Sequence, residues 1–163
     1  MNGKKADKAR YWVVYLPKGL PVGTTFKPNI LHLTIVPWFV TSKDEDYILD
    51  SFKNVFSGGP AFEITLGQSD VFKHKRSIPI NLIKPSQQLL ALHTKTLDWL
   101  ATLQAHWAVN RPHVAEEYKP HIRRRPGYNL SYGAKLRIDS LSLVKAYRRG
   151  DDFRIVASKV SFS

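Results

Sequence analysis

Two tetrads, His32-Leu33-Thr34-Ile35 and His121-Ile122-Arg123-Arg124, lie far apart in the chain, and each belongs to a segment that reads as a strand. Alternate residues of a strand share a face. His32 and Thr34 therefore project together, as do His121 and Arg123, while Leu33 and Ile35 are left for an apolar side. A fold that buries one side of each segment and presents the other brings out two imidazoles, each beside an anion-binding neighbour. Such a pair can act as acid and base with neither a metal nor a covalent nucleophile.

The rest of the pattern surrounds these two segments with antiparallel strands and two helices. Residues 11–16 (YWVVYL) read as a buried strand, closed by a turn region from Pro17 to Gly23. Residues 30–37 form the strand of His32, with Leu31, Leu33 and Ile35 on one face, His32, Thr34 and Val36 on the other, and Pro37 at its end. Ser42 and Glu45 match a capping box. Ile48, Phe52, Val55 and Phe56 follow at helical spacing, and Gly58-Gly59-Pro60 ends that helix. Strands are expected at 61–66 and at 78–83, the second short or at an edge because of Pro79. A second amphipathic helix runs from Pro85-Ser86 to about Gln104, with a stripe of Leu89, Leu90, Leu97, Leu100 and Leu103. Residues 117–124 carry His121 and end near Arg123, because Arg124 would otherwise enter the core side. Residues 134–147 read as one long strand with a bulge near Asp139-Ser140. Residues 152–162 read as the last strand, after a turn at Arg149-Gly150-Asp151-Asp152.

One helix in each half, with antiparallel strands around it, predicts an α+β fold. The order also reads as a loose duplication: two pseudo-symmetric lobes of antiparallel sheet, helices outside, with the histidine strands side by side at a central cleft. Residues 1–9 read as a flexible basic tail and 10–163 as a single bilobal domain.

At 163 residues the chain is one domain by size, and 43% hydrophobic content suits a packed core. The formal net charge of +12 favours polyanionic partners. There are no cysteines, which excludes disulfides, thiol catalysis, iron–sulfur clusters and Cys-ligated zinc. The apolar run from Tyr11 to Leu16 is too short for a signal-peptide core, and no stretch approaches a membrane span. A cytoplasmic protein with no membrane partner is expected, acting as a monomer.

The chain resembles the 2H phosphoesterase superfamily, which includes RNA 2′,3′-cyclic phosphodiesterases and 2′-5′ RNA ligase-like proteins. That family's signature is two His-x-Thr/Ser motifs, each followed by a hydrophobic residue. His32-Leu33-Thr34-Ile35 fits it fully, and Tyr118-Lys119-Pro120-His121-Ile122 matches the usual approach to the second motif. Ser69-Asp70-Val71-Phe72 resembles the segment after the family's third strand, and Leu141-Ser142-Leu143-Val144-Lys145 its strand near the C-terminus. The resemblance covers roughly residues 10–162. It implies a metal-independent, cofactor-free opening of 2′,3′-cyclic phosphates on RNA or nucleotides to a 2′-phosphate, with reverse 2′-5′ ligation.

Arg123 stands where the family pattern has Thr or Ser. A hydroxyl donates one neutral hydrogen bond to a phosphate oxygen, whereas a guanidinium offers a charged fork. Thr34 and Arg123 are thus assigned to phosphate binding, and His32 and His121 to catalysis. With an unperturbed pKa near 6.5, one imidazole can be neutral while the other is protonated. His32 is assigned the acid and His121 the base, an order that the sequence alone leaves open.

Other residues carry less. His93 falls on the second helix's semi-buried stripe, His106 follows that helix, and His113 lies in a loop before the second motif. No metal-ligand spacing such as His-Glu-x-x-His occurs, so no metal is expected. Two basic clusters are candidates for gripping a polynucleotide: Lys73-His74-Lys75-Arg76 and Arg123-Arg124-Arg125. Trp38, Phe39 and Tyr128 are candidates for stacking on a base, although large aromatics beside strands more often fill a core. Two other readings stay open at this point: an RNA-binding module with an attenuated site, and an exonuclease trimming RNA 3′ ends.

Overall fold

The structure, a computed structural model, describes residues 8–73, 77–125, 127–128, 130–147 and 153–163. In chain order these form β1 (Arg10–Tyr15), β2 (Thr25–Phe26), β3 (Leu33–Val40), α1 (Glu45–Phe56), β4 (Phe62–Lys73), β5 (Ser77–Ile83), α2 (Gln87–Thr102), β6 (His106–Trp107), a 3₁₀ turn (Ala115–Glu117), β7 (His121–Arg123), β8 (Lys135–Ile138), β9 (Ser140–Ala146) and β10 (Arg154–Ser161). The fold is α+β, with two helices and ten strands among the described residues. The expected tail, residues 1–9, lies mostly outside the described residues, as do His74-Lys75-Arg76 and the Arg149–Asp152 turn.

The strands lie in the order β2-β10-β9-β1-β3-β7-β5-β4-β8, with β6 attached to β3. Read outward from the middle, β3 and β7 are the innermost strands of two lobes. β1, β9 and β10 flank one; β5, β4 and β8 flank the other. Every pairing is antiparallel. The pseudo-symmetric arrangement expected from the sequence is therefore present, with its midline between the two histidine segments.

The two faces of this sheet have separate cores. On one face α1 contributes Ile48, Phe52 and Phe56, and α2 contributes Leu89, Trp99 and Leu100, all packed on Leu33, Ile35, Ile64, Ile122 and Leu143. On the other face a smaller cluster of Trp12, Val14, Leu16, Phe26, Val144 and Val156 stiffens the floor of a cleft. Helices outside and cleft inside follow from which face of each strand is apolar.

Several local expectations are corrected. Helix α1 begins at Glu45 with Asp44 as N-cap and no side-chain cap bond, so the Ser42 capping box does not form; the Thr41 hydroxyl instead accepts from Lys43 N–H. Helix α2 does start where expected, with Ser86 Oγ accepting from Leu89 N–H. Its stripe differs: Leu90 is 48% exposed, while Leu92, His93, Thr96 and Trp99 face inward. Strand β5 is interior, between β4 and β7. Pro79 is tolerated because β7 has already ended beside it, and its carbonyl accepts from Arg124 N–H. The expected long strand over 134–147 is two strands in different lobes: β8 pairs with β4, while β9 pairs with β1 and β10.

Strand β3 departs most from simple alternation. Opposite β1 its register slips twice: Val14 faces Thr34, Val13 faces Val36, and Tyr11 faces Phe39. Two extra residues on β3 re-aim its side chains, as bulges do beside functional sites. The first slip turns Val36 into the core beside Ile35. The second lets Pro37 and Trp38 both face the cleft while Phe39 packs inward.

Candidate active site

Strands β3 and β7 meet through the pair Leu33 and Ile122. Both side chains are fully buried on the helix face. Their neighbours therefore point the other way, and antiparallel counting sets His32 beside Arg123 and Thr34 beside His121. The two histidines lie on the diagonal of this arrangement, a spacing of about 7–8 Å in a regular sheet. His32, Thr34, His121 and Arg123 all line one cleft of about 620 Å³.

Each imidazole is held by the same device. His32 Nδ1 lies 3.0 Å from the carbonyl of Ile30, and His121 Nδ1 lies 2.8 Å from the carbonyl of Lys119. In both cases the acceptor is the residue two positions earlier. A carbonyl only accepts, so Nδ1 carries hydrogen and donates, which leaves Nε2 to exchange protons.

Burial dominates the titration of both rings. Desolvation lowers the His32 pKa to about 4. Its bond to Ile30 opposes that shift, and the positive charges of Arg125 and Arg154 reinforce it. Desolvation also lowers the pKa of His121, against the bond to Lys119 and with the nearby charges of Lys119 and His113. A phosphodiester anion set between the rings acts oppositely, because a nearby negative charge favours the protonated form.

Thr34 is oriented from β1. Trp12 Nε1 donates to Thr34 Oγ1 at 3.2 Å, so the hydroxyl hydrogen remains available to an anion. The Trp12 indole also meets the His32 ring edge-on at 4.6 Å and stacks on Trp38 at 5.3 Å. Arg154 lies against both indoles, 5.7 Å from Trp12 and 5.4 Å from Trp38. Arg10 lies over Trp38 at 5.0 Å. Arg154 and Arg125 join Arg123 in lining the cleft, and Arg125 Nη2 donates to the Pro28 carbonyl at 2.9 Å. The wall is thus aromatic on one side and cationic around the histidines.

Of the sequence-nominated residues, His32, His121, Thr34, Arg123, Arg125 and Trp38 share this cleft. Phe39 does not: it is fully buried against Trp99 and Tyr11. Arg124 is also turned away, donating through Nε to Asn81 Oδ1 and through Nη2 to Ser69 Oγ. Tyr128 is 40% exposed and does not line the cleft. Lys73 ends β4, and Lys75 and Arg76 lie outside the described residues. Trp12 and Arg154, which also line the cleft, are not singled out by the sequence pattern. A Trp inside a run read as fully buried needs a partner for its N–H, and that was the available signal for Trp12. Arg154 carries no such signal, since its neighbourhood is set by the long-range pairing of β10 with β2, where Arg154 lies opposite Phe26.

A second cleft, of about 860 Å³, adjoins the first and shares Thr34, Pro37 and His121 with it. The loop Ala108–His113 lines it together with Arg10, Tyr118 and Lys119. Behind that loop stands His93, 2% exposed. Its Nδ1 donates to the Ile35 carbonyl at 2.7 Å, and its Nε2 accepts from Ala115 N–H at 3.0 Å. The ring stacks on Tyr118 at 3.7 Å, and the Tyr118 hydroxyl donates to the Thr34 carbonyl at 2.9 Å. Helix α2 is thereby tied both to β3 and to the second cleft.

Among the described residues, no group of three His, Cys, Asp or Glu side chains is placed to hold a metal ion. No helix among them is long and apolar enough to cross a membrane.

A family model described as the 2′-5′ RNA ligase superfamily matches residues 22–123. Solved structures share the fold over nearly the whole chain. TT0787 of Thermus thermophilus aligns with a TM-score of 0.62 at 17% identity, over 94% of this chain and 97% of its own. E. coli LigT complexed with 3′-AMP aligns with a TM-score of 0.60 at 17% identity, over 96% of this chain and 99% of its own. Further LigT structures were determined with NADP+ and with ATP. No curated protein matches the chain in sequence.

Proposed function

The chain belongs to the 2′-5′ RNA ligase superfamily, and from that premise we propose that it is a metal-independent phosphodiesterase acting on 2′,3′-cyclic phosphates of RNA or nucleotides, with the reverse 2′-5′ ligation at the same site. One observation carries this reading: two imidazoles, each fixed through Nδ1 to the carbonyl two residues earlier, turn toward one cleft with Thr34 and Arg123 alongside.

His121 borders both clefts and His32 only the first. His121 is therefore assigned to the entering water and His32 to the ribose oxygen that departs. His121 Nε2 takes a proton from water as the water oxygen bonds to phosphorus. The bond from phosphorus to O3′ breaks, and His32 Nε2 gives its proton to O3′. The products are a 2′-phosphate and a free 3′-hydroxyl. Thr34 Oγ and the Arg123 guanidinium hold the non-bridging oxygens as charge grows on them. Trp12 and Trp38 offer an apolar wall to the nucleoside. Nucleotide ligands in the LigT structures accord with a nucleotide in this cleft.

The test is incubation of the pure protein with adenosine 2′,3′-cyclic phosphate and with a cyclic-ended oligonucleotide, in EDTA, beside the His32→Ala/His121→Ala double variant. Appearance of 2′-phosphate with wild type alone is the expected result. Intact substrates with persistent RNA binding, unchanged in the double variant, would overturn it in favour of an RNA-binding module. Release of successive 3′-terminal nucleotides would instead mark an exonuclease.

A further inference from the structure

We propose that Tyr118, backed by His93, is a positioning residue of this site: its hydroxyl, donated to the Thr34 carbonyl, sets Thr34 against the second histidine segment. This role rests on the phosphodiesterase reading above and adds to it two side chains that act through others. His93 is 2% exposed and Tyr118 half-buried, and the chemistry of the two catalytic rings has no other use for either.

Both side chains meet β3 where its ladder has a gap. On this edge β7 pairs with Leu33, and β6 pairs with Phe39 and Val40. Among the described residues no strand pairs with the stretch between them. The first register slip falls in the same place: Thr34 faces Val14, Val36 faces Val13, and Ile35 is the extra residue. Buried carbonyls need partners, and here they have side chains instead of a strand. Tyr118 Oη donates to the Thr34 carbonyl at 2.9 Å, and His93 Nδ1 donates to the Ile35 carbonyl at 2.7 Å. The bulge is thereby fixed at the residue that carries the phosphate-binding hydroxyl.

Tyr118 also belongs to the second histidine segment. The carbonyl of the next residue, Lys119, accepts from His121 Nδ1 at 2.8 Å. One residue therefore grips Thr34 with its side chain and, one peptide further on, aims His121. His93 fixes Tyr118 in turn. The two rings are parallel within 2° at 3.7 Å. His93 Nε2 accepts from Ala115 N–H at 3.0 Å, and the Ala115 carbonyl accepts from Tyr118 N–H at 3.1 Å. Ala115 has left-handed backbone, with φ of 56°, a conformation that is costly outside glycine and is held here by that bond. Both ring nitrogens of His93 are engaged, so its tautomer is set.

The Tyr118 hydroxyl is not itself a proton donor to substrate. Its hydrogen is committed to Thr34, and burial pushes its pKa well above the usual tyrosine range. Its effect passes through Thr34, which is held twice: at Oγ1 by Trp12 Nε1 and at the carbonyl by Tyr118. Positioning of this kind matters most as charge grows on the phosphoryl oxygens. Its loss should therefore appear in kcat and leave KM nearly unchanged.

Tyr118→Phe keeps the stacked ring and removes only the hydroxyl. Its kcat on adenosine 2′,3′-cyclic phosphate should fall about tenfold, with KM within about twofold of wild type. Added to Thr34→Val, it should cost less than about twofold more. An unchanged kcat, a loss confined to KM, or equal fold-losses with and without the Thr34 hydroxyl overturns the proposal, because a purely structural contact weakens both backgrounds alike. His93→Gln keeps an acceptor for Ala115 N–H and should retain at least about threefold more kcat than His93→Leu; equal kcat in the two overturns the part given to His93. Relaxation-dispersion NMR of the Thr34 methyl tests the same contact without turnover. Tyr118→Phe should show microsecond-to-millisecond exchange that wild type lacks. A Thr34 methyl as still in Tyr118→Phe as in wild type overturns the proposal whether or not either protein turns substrate over. Absence of turnover in wild type instead sinks the hydrolytic reading.

Discussion

Leu33 and Ile122 face each other across β3 and β7, and this one pairing places both histidines on the cleft side of the sheet. The relationship is close to a local twofold: each residue follows a histidine, each is fully buried, and each histidine bonds back to the carbonyl two positions earlier. Packing of this pair in the core fixes the spacing of the two imidazoles.

Replacing His32 or His121 singly with Ala should each lower cyclic-phosphate turnover by roughly 10²–10⁴-fold, the usual worth of a positioned proton donor or acceptor. The double variant should be scarcely worse than the weaker single one, because the two rings act as a unit. Steady-state kinetics on all three variants, with thermal melting to confirm folding, check this. Fully multiplicative losses would mean that the rings work independently.

The pH profile follows from the direction of both shifts. Turnover needs a single proton on the pair, carried by His32. In the free protein burial lowers His32 so far that this proton sits mostly on His121. The productive form is therefore a minor one that rises and falls with the singly protonated state. Below about pH 4 both rings carry protons, and His121 cannot act as the base. Above the lowered pKa of His121 both rings are neutral and no acid remains. The optimum of kcat/KM should therefore lie between about pH 4 and 6.5, whereas that of kcat should lie higher, because the bound anion raises both pKa values. An optimum of kcat/KM above about pH 7.5 would contradict this electrostatic picture.

The same shift links to stability. His32 binds protons more weakly when folded than when unfolded, so its contribution is fully present above about pH 6.5 and is lost as pH falls toward 4. His93, also lowered by burial, acts in the same sense. A His32→Gln variant should therefore lose less Tm than wild type between about pH 7 and 4.5, measured by thermal melting at matched ionic strength.

The cleft was legible in the sequence where two residues sufficed to define it, and illegible where the geometry depended on partners. The period-two pattern of His32 and Thr34, and of His121 and Arg123, identifies four residues that line one cleft. The same pattern misplaces Val36, because the two register slips of β3 against β1 leave no mark in β3 itself. Phe39 and Trp38 are adjacent aromatics with equal claim to a stacking role, and only the second slip decides which one faces the cleft. Residues 134–147 alternate without a break, yet β8 and β9 belong to different lobes; the choice is made by β4 and β1, not by the segment. Arg124 looked like a continuation of the basic run, but Asn81 and Ser69 on neighbouring strands claim its guanidinium.

Trp12→Phe tests the support of Thr34. The ring and its contact with His32 are largely kept, while the donor to Thr34 Oγ1 is lost. Thr34 can then rotate away from the phosphate, so kcat should fall by several-fold to about tenfold, the worth of one hydrogen bond, with KM nearly unchanged. Thr34→Val should lower kcat at least as much, and adding Trp12→Phe to Thr34→Val should cost little more. Independent losses in that double-variant cycle would show that Trp12 acts through packing and not through the hydroxyl.

Arg123→Thr restores the hydroxyl of the family pattern and isolates what the guanidinium does. Arg123 lies on the cleft face of β7, opposite the position of His32, and is exposed. A charged fork binds a phosphate dianion more strongly than the monoanionic cyclic ester, so the residue should tighten product more than substrate. In Arg123→Thr the inhibition constant of a nucleoside 2′-phosphate should rise by about tenfold, while kcat is sustained or increased if product release limits turnover. The salt dependence of product binding should also become shallower, since one phosphate contact has lost its charge. Product-inhibition kinetics at two ionic strengths measure both effects. A large fall in kcat with product affinity unchanged would place Arg123 on the reacting oxygens in the transition state instead.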